Sequence, residues 1–201
     1  MITKNVQPRG RPRRFDPEQG VAVAQELFHA RGYDAVGVAD ITAALGINPP
    51  SFYAAFGNKL ELYNRVLTRY AKTGAIPLGD LLRSDRTVAE CLGALLEDAA
   101  RRYARNPEAT GCLVVEGIRS DDTDARAAAC SYQKGAEDVI RSYIAARHPE
   151  KAGELADFVS ATMSGMSAKA RTGLSLDRLL AIARLAGQAI TQALQDQASV
   201  R

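Results

Sequence analysis

Val38-Ala39-Asp40-Ile41-Thr42-Ala43-Ala44-Leu45-Gly46-Ile47-Asn48-Pro49-Pro50-Ser51-Phe52-Tyr53-Ala54-Ala55-Phe56, followed by Gly57-Asn58-Lys59-Leu60-Glu61-Leu62, decides the fold. These residues read as a helix, a glycine turn and a second short helix, the layout of a helix-turn-helix that enters a DNA major groove. The first helix spans Val38 to Leu45 with Ile41 and Leu45 inward. Gly46 supplies the left-handed conformation of a tight C-terminal turn, and Ile47 packs back on it. Asn48 caps the second helix and Pro49 sits where its missing N–H costs nothing. Phe52 and Phe56, four apart, share the inner face, so Tyr53 points away from it. Asn58 and Glu61 have the spacing of a capping box opening another helix, in which Leu62, Val66 and Tyr70 form an apolar stripe.

Upstream, Asp16-Pro17-Glu18 is a helix start with Asp as the cap, and Val21, Ala24, Leu27 and Phe28 repeat at helical spacing until Gly32. Residues 1–14 contain Arg9-Gly10-Arg11-Pro12-Arg13-Arg14 and no acidic group. They are expected to form a flexible basic arm suited to the phosphate-lined minor groove. Charge is distributed accordingly. Residues 1–72 hold ten Lys/Arg against six Asp/Glu, and residues 73–201 hold sixteen against seventeen, so the basicity belongs to the N-terminal third. That asymmetry fits a nucleic-acid-binding head on a neutral body.

Beyond Gly74-Ala75-Ile76-Pro77, which breaks helical periodicity, the pattern is helical throughout. Val88, Cys91, Leu92, Leu95, Leu96, Ala99 and Tyr103 trace one face that stops at Asn106-Pro107. A short element follows from Gly111 to Gly117, then a helix from about Thr123 to Arg147, stopped by Pro149. The last two helices, roughly 151–172 and 176–198, are apolar on more than one side. Leu179, Ala183, Ala186, Ile190 and Leu194 line one side of the final helix, and Ile182, Leu185 and Ala189 the other. Two greasy sides call for two neighbours: the protein's own core and a second subunit. Ser160, Ser164, Gly165, Ser167 and Ala168 are small enough for close helix approach. The expected architecture is all-α: a flexible basic arm (1–14), a helix-turn-helix DNA-binding domain (15–73) and a ligand-binding and dimerisation domain (74–201).

Gly32-Tyr33, Ala39-Asp40-Ile41, Leu45-Gly46-Ile47, Tyr53, Phe56 and Lys59, in this order and spacing, resemble the DNA-binding domain of the TetR/AcrR transcriptional repressors. The resemblance implies an N-terminal three-helix helix-turn-helix head and a C-terminal helical effector domain. It further implies a homodimer joined through the last two helices, with double-stranded pseudo-palindromic operator DNA and a small-molecule effector as partners. Val36-Gly37 departs from the family's frequent Ser or Thr, and Leu60 from its frequent acidic residue. The first departure removes a hydroxyl from that corner and leaves Thr42 as the donor to phosphate.

The residues expected to contact DNA are Arg9, Arg11 and Arg13 in the minor groove, and Thr42, Asn48, Pro49, Pro50, Ser51, Tyr53 and Lys59 around the helix-turn-helix. Tyr53 suits a phosphate or a thymine methyl, Ser51 with its helix N-terminus suits bases or phosphate, and Lys59 suits phosphate. An effector pocket is expected among Tyr103, Cys112, Tyr132, Phe158 and Met163. Cys112, beside Gly111 at a helix start, also fits a redox or electrophile sensor. Cys91, Cys112 and Cys130 are odd in number and lack metal-ligand spacing, which fits reduced thiols. No cofactor, metal or membrane partner is expected, and a cytoplasmic location is. The absence of a Gly-x-Ser-x-Gly elbow, a P-loop or a Ser/His/Asp set argues against an enzyme localised on DNA. An architectural binder acting through the arm would recognise no preferred site.

Overall fold

The computed structural model describes residues 15–195; the arm with Arg9, Arg11 and Arg13 lies outside them. Among the described residues there are ten α-helices and no strand. No helix of this set is long and apolar enough to cross a membrane.

The first four helices form the head: α1 (Pro17–Arg31), α2 (Val38–Leu45), α3 (Pro49–Phe56) and α4 (Lys59–Thr73). Each begins where a side chain or a neighbouring carboxylate takes the first free amides. Asp16 accepts from Glu18 N–H, Asn48 from Ser51 N–H and Asn58 from Glu61 N–H. Gly37 has no side chain to cap α2. Instead Asp40 accepts the Gly37 N–H at 2.8 Å and an Arg31 guanidinium N–H at 3.0 Å. These bonds, the Gly37 amide first, hold the Asp40 carboxyl below its ordinary pKa. Gly46 ends α2 at φ 64°, ψ 31°, and only three residues join it to α3. Phe28, Ile41, Phe52, Phe56, Leu62, Tyr63 and Val66 fill the head's core.

The body comprises α5 (Leu78–Leu81), α6 (Val88–Ala104), α7 (Leu113–Gly117), α8 (Thr123–Ala145), α9 (Ala152–Arg171) and α10 (Leu176–Gln195), with a 3-10 turn at Pro149–Lys151. Thr87 and Glu90 form a reciprocal capping box at the start of α6. A second core joins Leu92, Leu95 and Leu96 of α6 to Ile140 and Ile144 of α8, Leu155 and Val159 of α9, and Leu179 and Ile190 of α10. The two cores meet across α7 and the start of α8. Leu113 and Ala125 belong to the head's cluster, and Cys112 packs against both clusters. Asp34 of the head accepts Ser120 Oγ at 2.8 Å and the Asp121 N–H at 3.0 Å. The four-residue α5 follows directly on Gly74-Ala75-Ile76-Pro77, the stretch that reads in the sequence as a break, and the 3-10 turn precedes α9.

Candidate nucleic-acid interface and effector cavity

The α2–α3 turn fixes which residues face outward. Burial of Phe52 and Phe56 against the core leaves Asn48, Pro49, Pro50 and Ser51 exposed at the N-terminal end of α3. Tyr53 is 53% exposed and meets Phe52 edge-on at 5.3 Å, so its phenol is anchored yet free at its polar end. The side-chain oxygen of Asn48 is already used as the helix cap, at 2.9 Å from Ser51 N. What this end of α3 offers a ligand is therefore the Ser51 and Tyr53 hydroxyls and the positive end of the helix.

Two expected DNA contacts sit differently. Thr42 is buried, and its hydroxyl donates to the Ala39 carbonyl at 3.0 Å. That bond satisfies the group inside its own helix, which corrects the reading of Thr42 as an outward donor. The Lys59 ammonium lies 3.9 Å from the centroid of the Tyr33 ring. Burial lowers its pKa, while the carboxylates of Asp34, Asp122 and Asp40 pull it back. The cation at the start of α4 is thus held by a ring face and acidic neighbours before any phosphate arrives.

In the body, a cavity of about 530 Å³ opens between the end of α4 and helices α5 to α9. Tyr103, Cys112, Tyr132 and Met163 line it, with Ile76, Leu78, Val114, Val139 and Ile140 making most of the remaining wall apolar. Phe158 does not reach it: this residue is 41% exposed on the outer side of α9. The correction has a simple cause. Phe158 and Met163 are five positions apart, which places them on different faces of one helix.

Four polar groups of the cavity carry no special signal in the sequence. Tyr70 reads as part of the apolar stripe of α4, yet its hydroxyl donates to Cys112 Sγ at 3.6 Å. Arg102 is neutralised by Asp98 at 2.5 Å and donates to the Ala75 carbonyl at 3.3 Å. Glu137 accepts from Gln133 Nε2 at 2.9 Å and from the Ser160 hydroxyl. Because Gln133 gives its N–H to that carboxylate, its carbonyl oxygen is left buried without a partner. Tyr132 closes one edge through its hydroxyl, 2.9 Å from Thr68 Oγ1.

The three cysteines are unpaired: Cys91 buried, Cys112 half-buried, Cys130 exposed. Cys112 is the N-cap of α7, which has only five residues. A single turn supplies a small dipole, so the physical case for an activated thiol is weak.

The outer sides of α9 and α10 carry exposed apolar groups: Phe158, Leu176 and Leu185, the last 67% exposed. Leu179, Ala183, Ala186 and Ile190 are buried as expected of the inner side of α10, and Ala189 is exposed beside Leu185. Of the small residues of α9, Gly165 is exposed on the outside. Ser160 and Ser167 turn inward, to Glu137 and to the Cys112 amide.

Residues 21–66 match the family model described as bacterial regulatory proteins, tetR family. The HTH-type transcriptional repressor BdcR of Escherichia coli K12 is 54% identical over 198 residues, which cover 98% of this chain and 100% of that protein. The repressor ComR of the same organism is 29% identical over 87% of this chain and 89% of its own length. Among solved structures, a cysteine mutant of the TetR family transcriptional regulator CifR, complexed with 26-base-pair double-stranded operator DNA, superimposes with a TM-score of 0.81. It is 28% identical, over 89% of this chain and 99% of that one. A head built on a capped helix-turn-helix, a helical body with an internal cavity, and a full-length match to a named repressor lead to one assignment: the chain belongs to the TetR family of bacterial regulatory proteins.

Proposed function

We propose that the protein is a homodimeric transcriptional repressor that binds a pseudo-palindromic operator and leaves it when a small molecule fills the body's cavity. The observation that carries this reading is the outward end of α3, where Ser51 and Tyr53 stand clear on a helix whose inner face is locked by Phe52 and Phe56. Residues 15–73 act as the DNA-binding unit and residues 74–201 as the sensing and dimerising unit, in the cytoplasm. Two heads of one dimer sit in successive major grooves about 34 Å apart, with Arg9, Arg11 and Arg13 following the adjacent minor groove. Ser51, Tyr53 and the amides at the start of α3 make the contacts near the bases, and Lys59 neutralises a phosphate at the edge of the site.

The effector lowers DNA affinity only through its preference for the conformation that separates the heads wrongly for the operator. The cavity suits a molecule with an apolar body and a hydrogen-bond donor. Its wall is mostly hydrocarbon, Arg102 is already neutralised, and the acceptors Glu137 and Gln133 meet on the α8 side. The apolar outer faces of α9 and α10, with Leu185 and Phe158, form the dimer interface. Oxidation or alkylation of Cys112 is not the favoured trigger, because the thiol is half-buried and caps a helix of little more than one turn.

Selection of bound duplexes from a random DNA pool at near-physiological salt, followed by stoichiometry on the enriched sequence, tests this reading. An enriched pseudo-palindrome bound by two protomers is expected. Binding without enrichment that disappears as salt rises refutes it and leaves only charge-driven association.

A further inference from the structure

We infer that Arg171, the last residue of α9, is the positioning residue that couples the cavity to the DNA-binding head, an inference that rests on the cavity being the effector site. The last carbonyls of any helix lack partners within it and are usually met by a local cap or by water. At the end of α1, Phe28 O accepts the Gly32 N–H at 2.9 Å. The next two carbonyls are met from 142 and 141 residues away: Arg171 Nη1 donates to His29 O at 2.9 Å and Nη2 to Ala30 O at 3.3 Å. The same guanidinium donates to Thr110 O at 3.1 Å and pairs with Glu116 through Nε at 3.0 Å. One rigid fork thus ties the head's first helix, the loop before α7 and α7 itself.

The loop it holds leads, two residues on, to Cys112 in the wall of the cavity. Gly111 O lies 3.1 Å from His29 Nε2, and the Cys112 N–H donates to Ser167 Oγ at 2.9 Å. Gly111 has φ +78°, and a Cβ there would come within 2.9 Å of Ser167 Oγ and 3.0 Å of Arg171 Cγ. Only a glycine lets the loop press so closely on α9. Along α9, Ser160, Ser164, Ser167 and Arg171 follow at spacings of four, three and four, which is one face of a helix. The first two line the cavity, and Arg171 lies about 10 Å beyond Ser164 along the axis.

A molecule that pushes on Ser160, Ser164 or Cys112 therefore displaces α9 or the 110–112 loop relative to the end of α1. Arg171 transmits that displacement by carrying the two α1 carbonyls with it. Beyond them Arg31, the last residue of α1, is bonded to Asp40 at 3.0 Å, which leads into α2 and the helix-turn-helix.

Coupling is reciprocal, so it can be read without knowing the effector. In a Cys130→Ser background, iodoacetamide labelling of Cys112 is timed by peptide mass, with and without the selected operator duplex. The duplex is expected to slow labelling at least about fivefold. Arg171→Gln is expected to bring the ratio to within about twofold of one while duplex is still bound. Arg171→Lys keeps the charge but not the fork, so it is expected to fall between, and it serves as the folded comparison if Arg171→Gln melts. An undiminished ratio in either variant, or a ratio of one in the parent protein with duplex bound, overturns the inference. Failure of the parent protein to bind any selected duplex overturns instead the repressor reading, and the inference with it.

Discussion

Gly117→Ala is a substitution whose sign separates packing from propensity. In an ordinary helix the change stabilises by about 1 kcal/mol, because alanine restricts the unfolded chain and glycine does not. Gly117 ends α7 with its backbone against α4 and α8. An added Cβ would lie 2.1 Å from Tyr63 Oη and 2.8 Å from Ala129 Cβ. Tyr63 is 1% exposed, and its ring is fixed by Phe28 at 5.2 Å and Tyr33 at 4.8 Å between centroids. Moving it would disturb both ring contacts. Overpacking of such a site costs about 1–3 kcal/mol, and the one-turn helix α7 recovers less than the usual propensity gain. A net loss of about 1–2 kcal/mol follows, or roughly 2–8 °C in Tm for a chain of this size. The assay is thermal unfolding followed by far-UV circular dichroism on the parent, Gly117→Ala, Tyr63→Phe and the double variant. Removing Oη takes away the worst overlap, so the double variant is expected to lose less than the two single losses together. A Tm that rises in Gly117→Ala, or losses that add within about 0.5 kcal/mol, refutes the packing described for this junction.

Leu185→Glu, at the most exposed large apolar position of α10, is expected to yield monomers by sedimentation velocity with little loss of helix content, and an unchanged dimer would move the interface elsewhere. The His29 ring is half-buried, and its desolvation lowers its pKa below 6.5. The unfolded chain then binds the extra proton first, so the contribution is present in full above pH 6.5 and is lost as the pH falls below it towards the folded value. Chemical denaturation between pH 7.5 and 5 should show a slope of at most about 1.4 kcal/mol per unit from this group, and His29→Gln should flatten it. Lys59→Ala is expected to lower the salt slope of DNA binding by about one unit, whereas Thr42→Val should leave DNA affinity unchanged because its hydroxyl is spent on Ala39; electrophoretic or anisotropy titrations at several salt concentrations check both.

The head was legible because its signals are local. Asp16, Asn48 and Asn58 are caps that act within three residues of their own position, and Gly46 ends α2 where it stands. Alternation of Phe52 and Phe56 with Tyr53 was enough to say which side of α3 faces out. The cavity was only partly legible. Tyr103, Cys112, Tyr132 and Met163 converge there, but Phe158 does not, since single aromatic residues do not announce their helix face when several faces are apolar. Tyr70 was hidden in a regular stripe, and Thr42 presented an ordinary helical hydroxyl whose back-bond leaves no mark in the sequence. Arg171 was invisible for another reason. Its partners lie 142, 61 and 55 positions distant, and no periodicity links residues so far apart.

The most direct measurement is the ratio of affinities for the selected operator and a scrambled duplex of equal length, in the parent protein and in Tyr53→Ala. Tyr53 is exposed, so its loss leaves the fold intact, and a base- or register-setting contact on α3 makes the specific complex weaken by about tenfold or more while the scrambled one barely changes. Equal affinities for the two duplexes in the parent protein, or a ratio untouched by Tyr53→Ala, would contradict sequence reading by this face of α3.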